Sequence, residues 1–236
     1  MTPTPTENKL KLQAGGFATL VEALEYAARG DTGFNFYNGK GQLQDVLSYR
    51  QLKNKARAIA GRFLGLGLKR GSRVALIADT DTEFIIYFFA CQYAGLVPVP
   101  LPTPNSLGGR QAYEALLKRL MESCRAAVAI APKGFSEYLL EAAKGLTLQF
   151  VGTPEMFAAL PQDRSGLNPS GPKDLAYIQF TSGSTRFPRG VMITHEAVLA
   201  NLTAIIEDGL KVQAGDRAVS WLPFYHDMGL VGLVLA

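Results

Sequence analysis

Cysteine is scarce in this chain of 236 residues. Only Cys91, inside a very apolar run, and Cys124, near the end of a helical pattern, occur. Two thiols so placed exclude a disulfide framework and any cysteine-based metal spacing, and a reducing, cytoplasmic setting is expected. Blocks of charge are missing too: 24 Lys and Arg face 20 Asp and Glu, a net charge of +4, with both signs scattered along the chain. That is far from the dense basic stripe of a nucleic-acid binder, so no nucleic-acid partner is expected, while the mild excess suits an anionic small molecule. The first residues, Met1 to Lys11, carry Pro and Thr with only scattered apolar positions. They lack the apolar core of a secretory signal, and residues 1–16 are read as a frayed tail.

A long unbroken apolar run is also absent. Phe84 to Leu101 comes nearest, but Gln92, Gly95, Pro98 and Pro100 interrupt it. Before the first proline there are about 14 residues, short of the roughly 20 that span a bilayer, so no membrane span is expected and a helix buried against a sheet is. No internal repeat points to a solenoid. What is present, 47% hydrophobic and 19% charged residues, is an ordinary globular balance.

Strand and helix patterns alternate. Ser48 with Gln51 forms a capping box, and Tyr49, Leu52, Ala56, Ile59, Ala60 and Phe63 follow at helical spacing until Gly65 and Gly67. Arg73 to Ala78 reads as a strand. Thr80 with Glu83 reads as a second capping box opening a helix over 81–94, and Val97 to Leu101 as the strand returning beside the first. Helices over 111–124 and 135–144 alternate with strands over 126–130 and 148–151. Such alternation implies an α/β fold of mostly parallel sheets covered by helices on both faces. The segment 161–172, rich in Pro, Gly, Ser and Asn, reads as a linker between subregions of about 17–160 and 173–236. Beyond it come a strand over 175–180, a loop over 181–190, a short strand over 191–193, a helix from Thr194 to about Asp208, a strand over 218–222 and a helix from Asp227. The apolar run Gly229 to Ala236 has no polar end, and the expectation is that 17–236 is an incomplete domain whose core continues elsewhere.

The chemistry concentrates in Phe180-Thr181-Ser182-Gly183-Ser184-Thr185-Arg186-Phe187-Pro188-Arg189-Gly190. Phosphate oxygens need many donors at once. Hydroxyls at 181, 182, 184 and 185 supply directional hydrogen bonds, Gly183 and Gly190 let backbone N–H groups approach closely, and Arg186 and Arg189 add charge with forked donors. Pro188 stiffens the turn. Ser, Thr and Gly also fill ordinary surface turns, but this combination directly after a strand favours a phosphate site. A Walker-type loop is excluded, since it needs Gly-Lys-Ser/Thr followed by a helix and here a strand follows.

This loop resembles the phosphate-binding motif of the adenylate-forming superfamily, Thr-Ser-Gly-Ser/Thr-Thr-Gly-x-Pro-Lys-Gly, with Arg186 in place of the glycine and Arg189 in place of the lysine. Ser-Thr-Arg at this point resembles the fatty acyl-AMP ligase branch. Leu47-Ser-Tyr-Arg-Gln-Leu, Cys91-Gln-Tyr-Ala-Gly-Leu-Val-Pro-Val-Pro and Ser220-Trp-Leu-Pro-Phe-Tyr-His-Asp-Met-Gly are similar to further family motifs, so the resemblance runs from about Phe17 onward. It implies the N-terminal part of an enzyme that joins a carboxylic acid, a fatty acid by preference, to ATP as acyl-AMP. Pyrophosphate leaves, and an acyl carrier protein or CoA accepts the acyl group. A CoA-thioester-forming synthetase and a non-catalytic nucleotide-binding module stay open beside it.

On this resemblance Thr181, Ser182, Gly183, Ser184, Thr185, Arg186, Arg189 and Gly190 would hold the ATP phosphates, Arg186 and Arg189 would steady the departing pyrophosphate, and His226 would place the acid. Mg²⁺ is implied by the triphosphate, with no metal ligand assigned to this chain. By spacing alone His226 reads as a buried histidine satisfied by a neighbouring carbonyl, and the motif resemblance turns that reading toward a substrate role. His195, in the first turn of its helix, is expected to be exposed and without a role. Trp221, Phe224 and Tyr225 could line an acyl tunnel or be plain core. Asp79 and Asp81 resemble acidic ligands, but capping of the next helix explains them better.

Overall fold

The computed structural model describes residues 10–104, 109–163, 165–181 and 188–236. Helix α1 (Leu20–Ala27) starts where the Thr19 hydroxyl accepts the N–H of Glu22. Strands β1 (Gly33–Tyr37) and β2 (Leu43–Ser48) pair as an antiparallel hairpin. Helix α2 (Tyr49–Gly65) carries the expected capping box of Ser48 and Gln51, which satisfies two otherwise orphaned donors. Strand β3 (Arg73–Ile77) leads into α3 (Thr82–Tyr93), and β4 (Val97–Leu101) returns parallel to β3.

Helix α4 (Gly109–Cys124), strand β5 (Ala126–Ile130), helix α5 (Ser136–Ala142) and strand β6 (Phe150–Gly152) repeat the unit. The four strands form one parallel sheet in the order β4-β3-β5-β6. Alternate residues of β3 face opposite layers. Val74 and Leu76 join a core with α1, α2 and α3, whereas Ala75 and Ile77 join a second with α4 and α5. Both faces are therefore covered, as the alternation of patterns implied.

Ten consecutive residues of α3, Phe84 to Tyr93, are buried. Each large side chain there contributes roughly 1.5–3 kcal/mol by leaving water, which accounts for the apolar run without a membrane. No helix among the described residues is long and apolar enough to cross one. Cys91 and Cys124 are free thiols, both buried.

Helix α6 (Pro154–Ala158) precedes the irregular segment over 161–172. Asp163 N–H donates to the Gly61 carbonyl at 2.9 Å and Ser170 N–H to the Gln92 carbonyl at 2.9 Å. The Arg70 guanidinium donates to the carbonyls of Asn168 and Pro169 at 3.0 and 2.8 Å. Strand β7 (Leu175–Phe180) then lies against β4 and pairs antiparallel with β8 (Gly190–Thr194). Helix α7 (His195–Ala204), capped by Thr194 as expected, runs on into a π-helical turn over Ile205–Gly209. Helix α8 (Asp227–Gly229) likewise continues as a π-helical turn over Leu230–Leu235.

Several local expectations change. The N-cap of α3 is Asp81, whose carboxylate accepts the Phe84 N–H at 2.8 Å, and the Thr80–Glu83 box is not formed. A short carboxylate one residue closer satisfies the same donors. The helix expected over 135–144 is a 3₁₀ turn, Lys133–Phe135, followed by the shorter α5, and the next strand begins at Phe150. No strand forms over 218–222. A strand needs a neighbour for its ladder, and Val219 and Trp221 stand 88% exposed with none alongside among the described residues. Helices α1 and α6 and the β1–β2 hairpin went unread, being short and, for the hairpin, largely exposed.

Candidate active site

The loop that the sequence singles out joins β7 to β8. Their antiparallel register pairs Gln179 with Val191 and Phe180 with Gly190. One step further out, Thr181 N–H donates to the Arg189 carbonyl at 3.0 Å, and Arg189 N–H reaches the Thr181 hydroxyl at 3.4 Å. Thr181 and Arg189 thus face each other across the mouth of the loop, both exposed. Ser182, Gly183, Ser184, Thr185 and Arg186 lie outside the described residues. Gly190 has a packing reason to be glycine: a Cβ there would sit 2.9 Å from the Ile178 side chain and 3.4 Å from the Phe180 ring.

His226 occupies the N-cap position of α8 and is exposed. Its Nδ1 lies 2.6 Å from the Asp227 carboxylate, which leaves Nε2 as the nitrogen for a ligand. The turn beneath it is tight. His226 N–H donates to the Pro223 carbonyl at 3.1 Å, Leu230 N–H donates to the His226 carbonyl at 2.9 Å, and a Cβ on Gly229 would fall 2.2 Å from the Pro223 oxygen. Phe224 is buried against Phe84, ring centroids 5.7 Å apart, and anchors the turn in the core. The aromatic trio therefore divides: Trp221 is exposed, Phe224 is core and Tyr225 is half-buried at its margin. A hydrogen bond from the Gln179 side-chain amide to the Tyr225 carbonyl, at 3.1 Å, ties this turn to β7.

The structure corrects the reading of His195. It is fully buried rather than exposed, and its Nδ1 accepts the Leu20 N–H at 3.1 Å. Burial pushes its pKa down to about 4, with Asp174 opposing weakly, so the ring is neutral near pH 7. A usable signal was there, since His195, Val198 and Leu202 recur at i, i+3 and i+7 and form the buried face of α7. Gln179 was missed as well, because a polar residue inside a strand gives no sequence sign of its partner.

Asp81 acts as a cap, as expected. Desolvation raises its pKa to about 6, nearby Asp79 and Glu83 push the same way, and the Phe84 N–H opposes them. Among the described residues no group of three or more His, Cys, Asp or Glu could hold a metal ion.

The ends of an antiparallel β7–β8 pair and a histidine turn tied to β7 thus lie beside a helix-covered parallel sheet. The chain belongs to the AMP-binding enzyme family, whose model matches residues 27–236. It is 45% identical, over 99% of its length, to a Caulobacter vibrioides protein provisionally named an acyl-CoA synthetase, and covers 40% of that protein. It is 35% identical to a long-chain-fatty-acid–AMP ligase of Mycolicibacterium smegmatis, over 80% of this chain and 30% of that one. A solved chain from a study of fatty acyl-adenylate ligases from E. coli and L. pneumophila superposes with a TM-score of 0.91 at 50% identity, over 95% of this chain and 40% of the other. The chain thus spans two fifths or less of these relatives.

Proposed function

We propose that the intact protein activates a fatty acid, its carboxylate attacking the α-phosphorus of ATP to give acyl-AMP and pyrophosphate, and that an acyl carrier protein then takes the acyl group. Residues 17–160 form the scaffold and 173–236 carry the site, with 161–172 between them. Negative charge gathers on the phosphate oxygens during the attack. The protein's part is to position the reactants and to meet that charge with fixed donors. Thr181, Ser182, Gly183, Ser184, Thr185 and Gly190 serve the β- and γ-phosphates. Arg186 and Arg189 hold the leaving pyrophosphate, and His226 Nε2 orients the acid. Mg²⁺ accompanies the triphosphate, held by groups other than those described. The two buried thiols suit a cytoplasmic setting.

The observation that supports this reading is the pairing of Thr181 and Arg189 across the end of the β7–β8 pair, which brings a hydroxyl and a guanidinium-bearing residue together. Names of the relatives support the acid class, and one of them favours a second reading, a synthetase that passes the acyl group to CoA. Acid-dependent ATP–pyrophosphate exchange with fatty acids of graded length tests the first step. Exchange without added acid, or none with any acid, contradicts it. Product analysis with CoA against carrier protein then separates the two acceptors.

A further inference from the structure

The Gln179 side chain joins the two pieces of the proposed site by a directed bond. It is 8% exposed, on β7 two residues before Thr181, and its amide N–H donates to the carbonyl of Tyr225, the residue before His226. The two ends of that bond are 46 positions apart in sequence. Each is fixed locally by other means. On one side, β7 is held by pairing with β8, with Gln179 opposite Val191. On the other, the 223–229 turn is closed by its own hydrogen bonds, by the fit of Gly229 under Pro223 and by Phe224 against Phe84. Tyr177, on the same face of β7 as Gln179, is buried in the core that also takes Phe224. Apolar packing sets how deep the turn sits, but packing is not directional. Among the described residues, the Gln179 hydrogen bond is the directed link between the turn and β7, and so bears on where His226 stands relative to Thr181 and Arg189.

We infer that Gln179 is a positioning residue that registers the acid-orienting turn against the phosphate loop, so that a carboxylate held at His226 meets the α-phosphorus of a nucleotide held at Thr181 to Gly190. This rests on the proposed adenylation. A displacement of an ångström between reacting groups can cost on the order of 100-fold in rate, so one buried bond suffices to matter. The glutamine needs no charge for the role and carries the donor that a carbonyl requires.

The test uses the intact protein, fatty-acid-dependent pyrophosphate exchange and a double-mutant cycle with His226→Ala. Gln179→Met, of similar size but without the donor, is expected to lower kcat about 10- to 100-fold, to leave the KM for ATP within about 2-fold, and to have little further effect once His226 is alanine. Gln179→Glu gives a second readout, usable even if the methionine variant folds poorly. As a carboxylate the glutamate repels the Tyr225 carbonyl, and as the neutral acid it can donate to it, so its activity relative to wild type should rise as pH falls below neutrality. Impaired His226→Ala together with a neutral Gln179→Met, additive losses, or a pH-independent Gln179→Glu overturns the positioning role alone. Absence of exchange in the wild type, or a neutral His226→Ala, overturns the proposed function and this inference with it.

Discussion

Two halves of the molecule are built to different standards. In the parallel sheet and its helices, Val74, Ala75, Ile85, Leu101 and Val128 are entirely shielded, and α3 is buried through ten consecutive residues. In the part that follows β7, the three leading residues of β8 are exposed, Trp221 and Val219 stand in solvent, and two helices end in π-helical turns. The candidate chemistry lies wholly in the second, more open half. A rigid layered core can hold a strand end still, while groups proposed to meet a nucleotide and an acid have to stay reachable. Directed contacts between the two halves include the strap over 161–172, the Gln92 side-chain amide bond to the Ala176 carbonyl, the Arg70–Asp174 ion pair, and the Leu20 N–H bond to His195.

If this division is right, substitutions in one half should cost stability and in the other activity. The largest loss of stability is expected from Phe88→Ala. The ring is 1% exposed and packs against Phe84, Phe89 and Tyr177, so truncation should destabilise by about 4 kcal/mol in urea unfolding. Arg189→Ala is next. On its proposed role at the leaving group, its removal should cost about 3 kcal/mol of transition-state stabilisation in pyrophosphate exchange, with the unfolding midpoint nearly unchanged. A stability loss of similar size would break the contrast.

At the seam between the halves, His195 makes the fold acid-sensitive. Its pKa is about 4 when folded against an ordinary 6.5, so the unfolded chain takes up the proton first. Stability should therefore fall as pH drops from about 6.5 to 4 and level off below that, a loss of up to about 3 kcal/mol. His195→Gln keeps an acceptor for the Leu20 N–H and has no proton to gain, so its unfolding curve should lack that slope. Equal slopes in both proteins would show that the imidazole is not the sensor. The smallest effect belongs to Trp221→Ala, expected within about 0.5 kcal/mol because the side chain is exposed.

Much of the scaffold was legible in the chain. The Ser48 capping box, the β3–α3–β4 unit and the buried character of 84–93 follow from spacing alone, because burial on both faces leaves runs that periodicity can read. The phosphate-loop reading rests on residue types, and residues 182–187 lie outside the described ones. What escaped depended on partners distant in sequence. A strand over 218–222 has the right composition but no neighbour, His195 owes its burial to Leu20, and Gln179 acquires meaning only from Tyr225. Asp81 supplanted Thr80 as cap because which short side chain meets the first free N–H depends on the path the chain takes out of β3.

The claim under everything else is that the segment between Phe180 and Val191 receives a triphosphate. A crystal structure of the intact protein with a non-hydrolysable ATP analogue tests it most directly. The β- and γ-phosphates are expected within hydrogen-bond distance of the loop hydroxyls and of Arg186 or Arg189. A bound analogue whose phosphates touch none of these residues would contradict it.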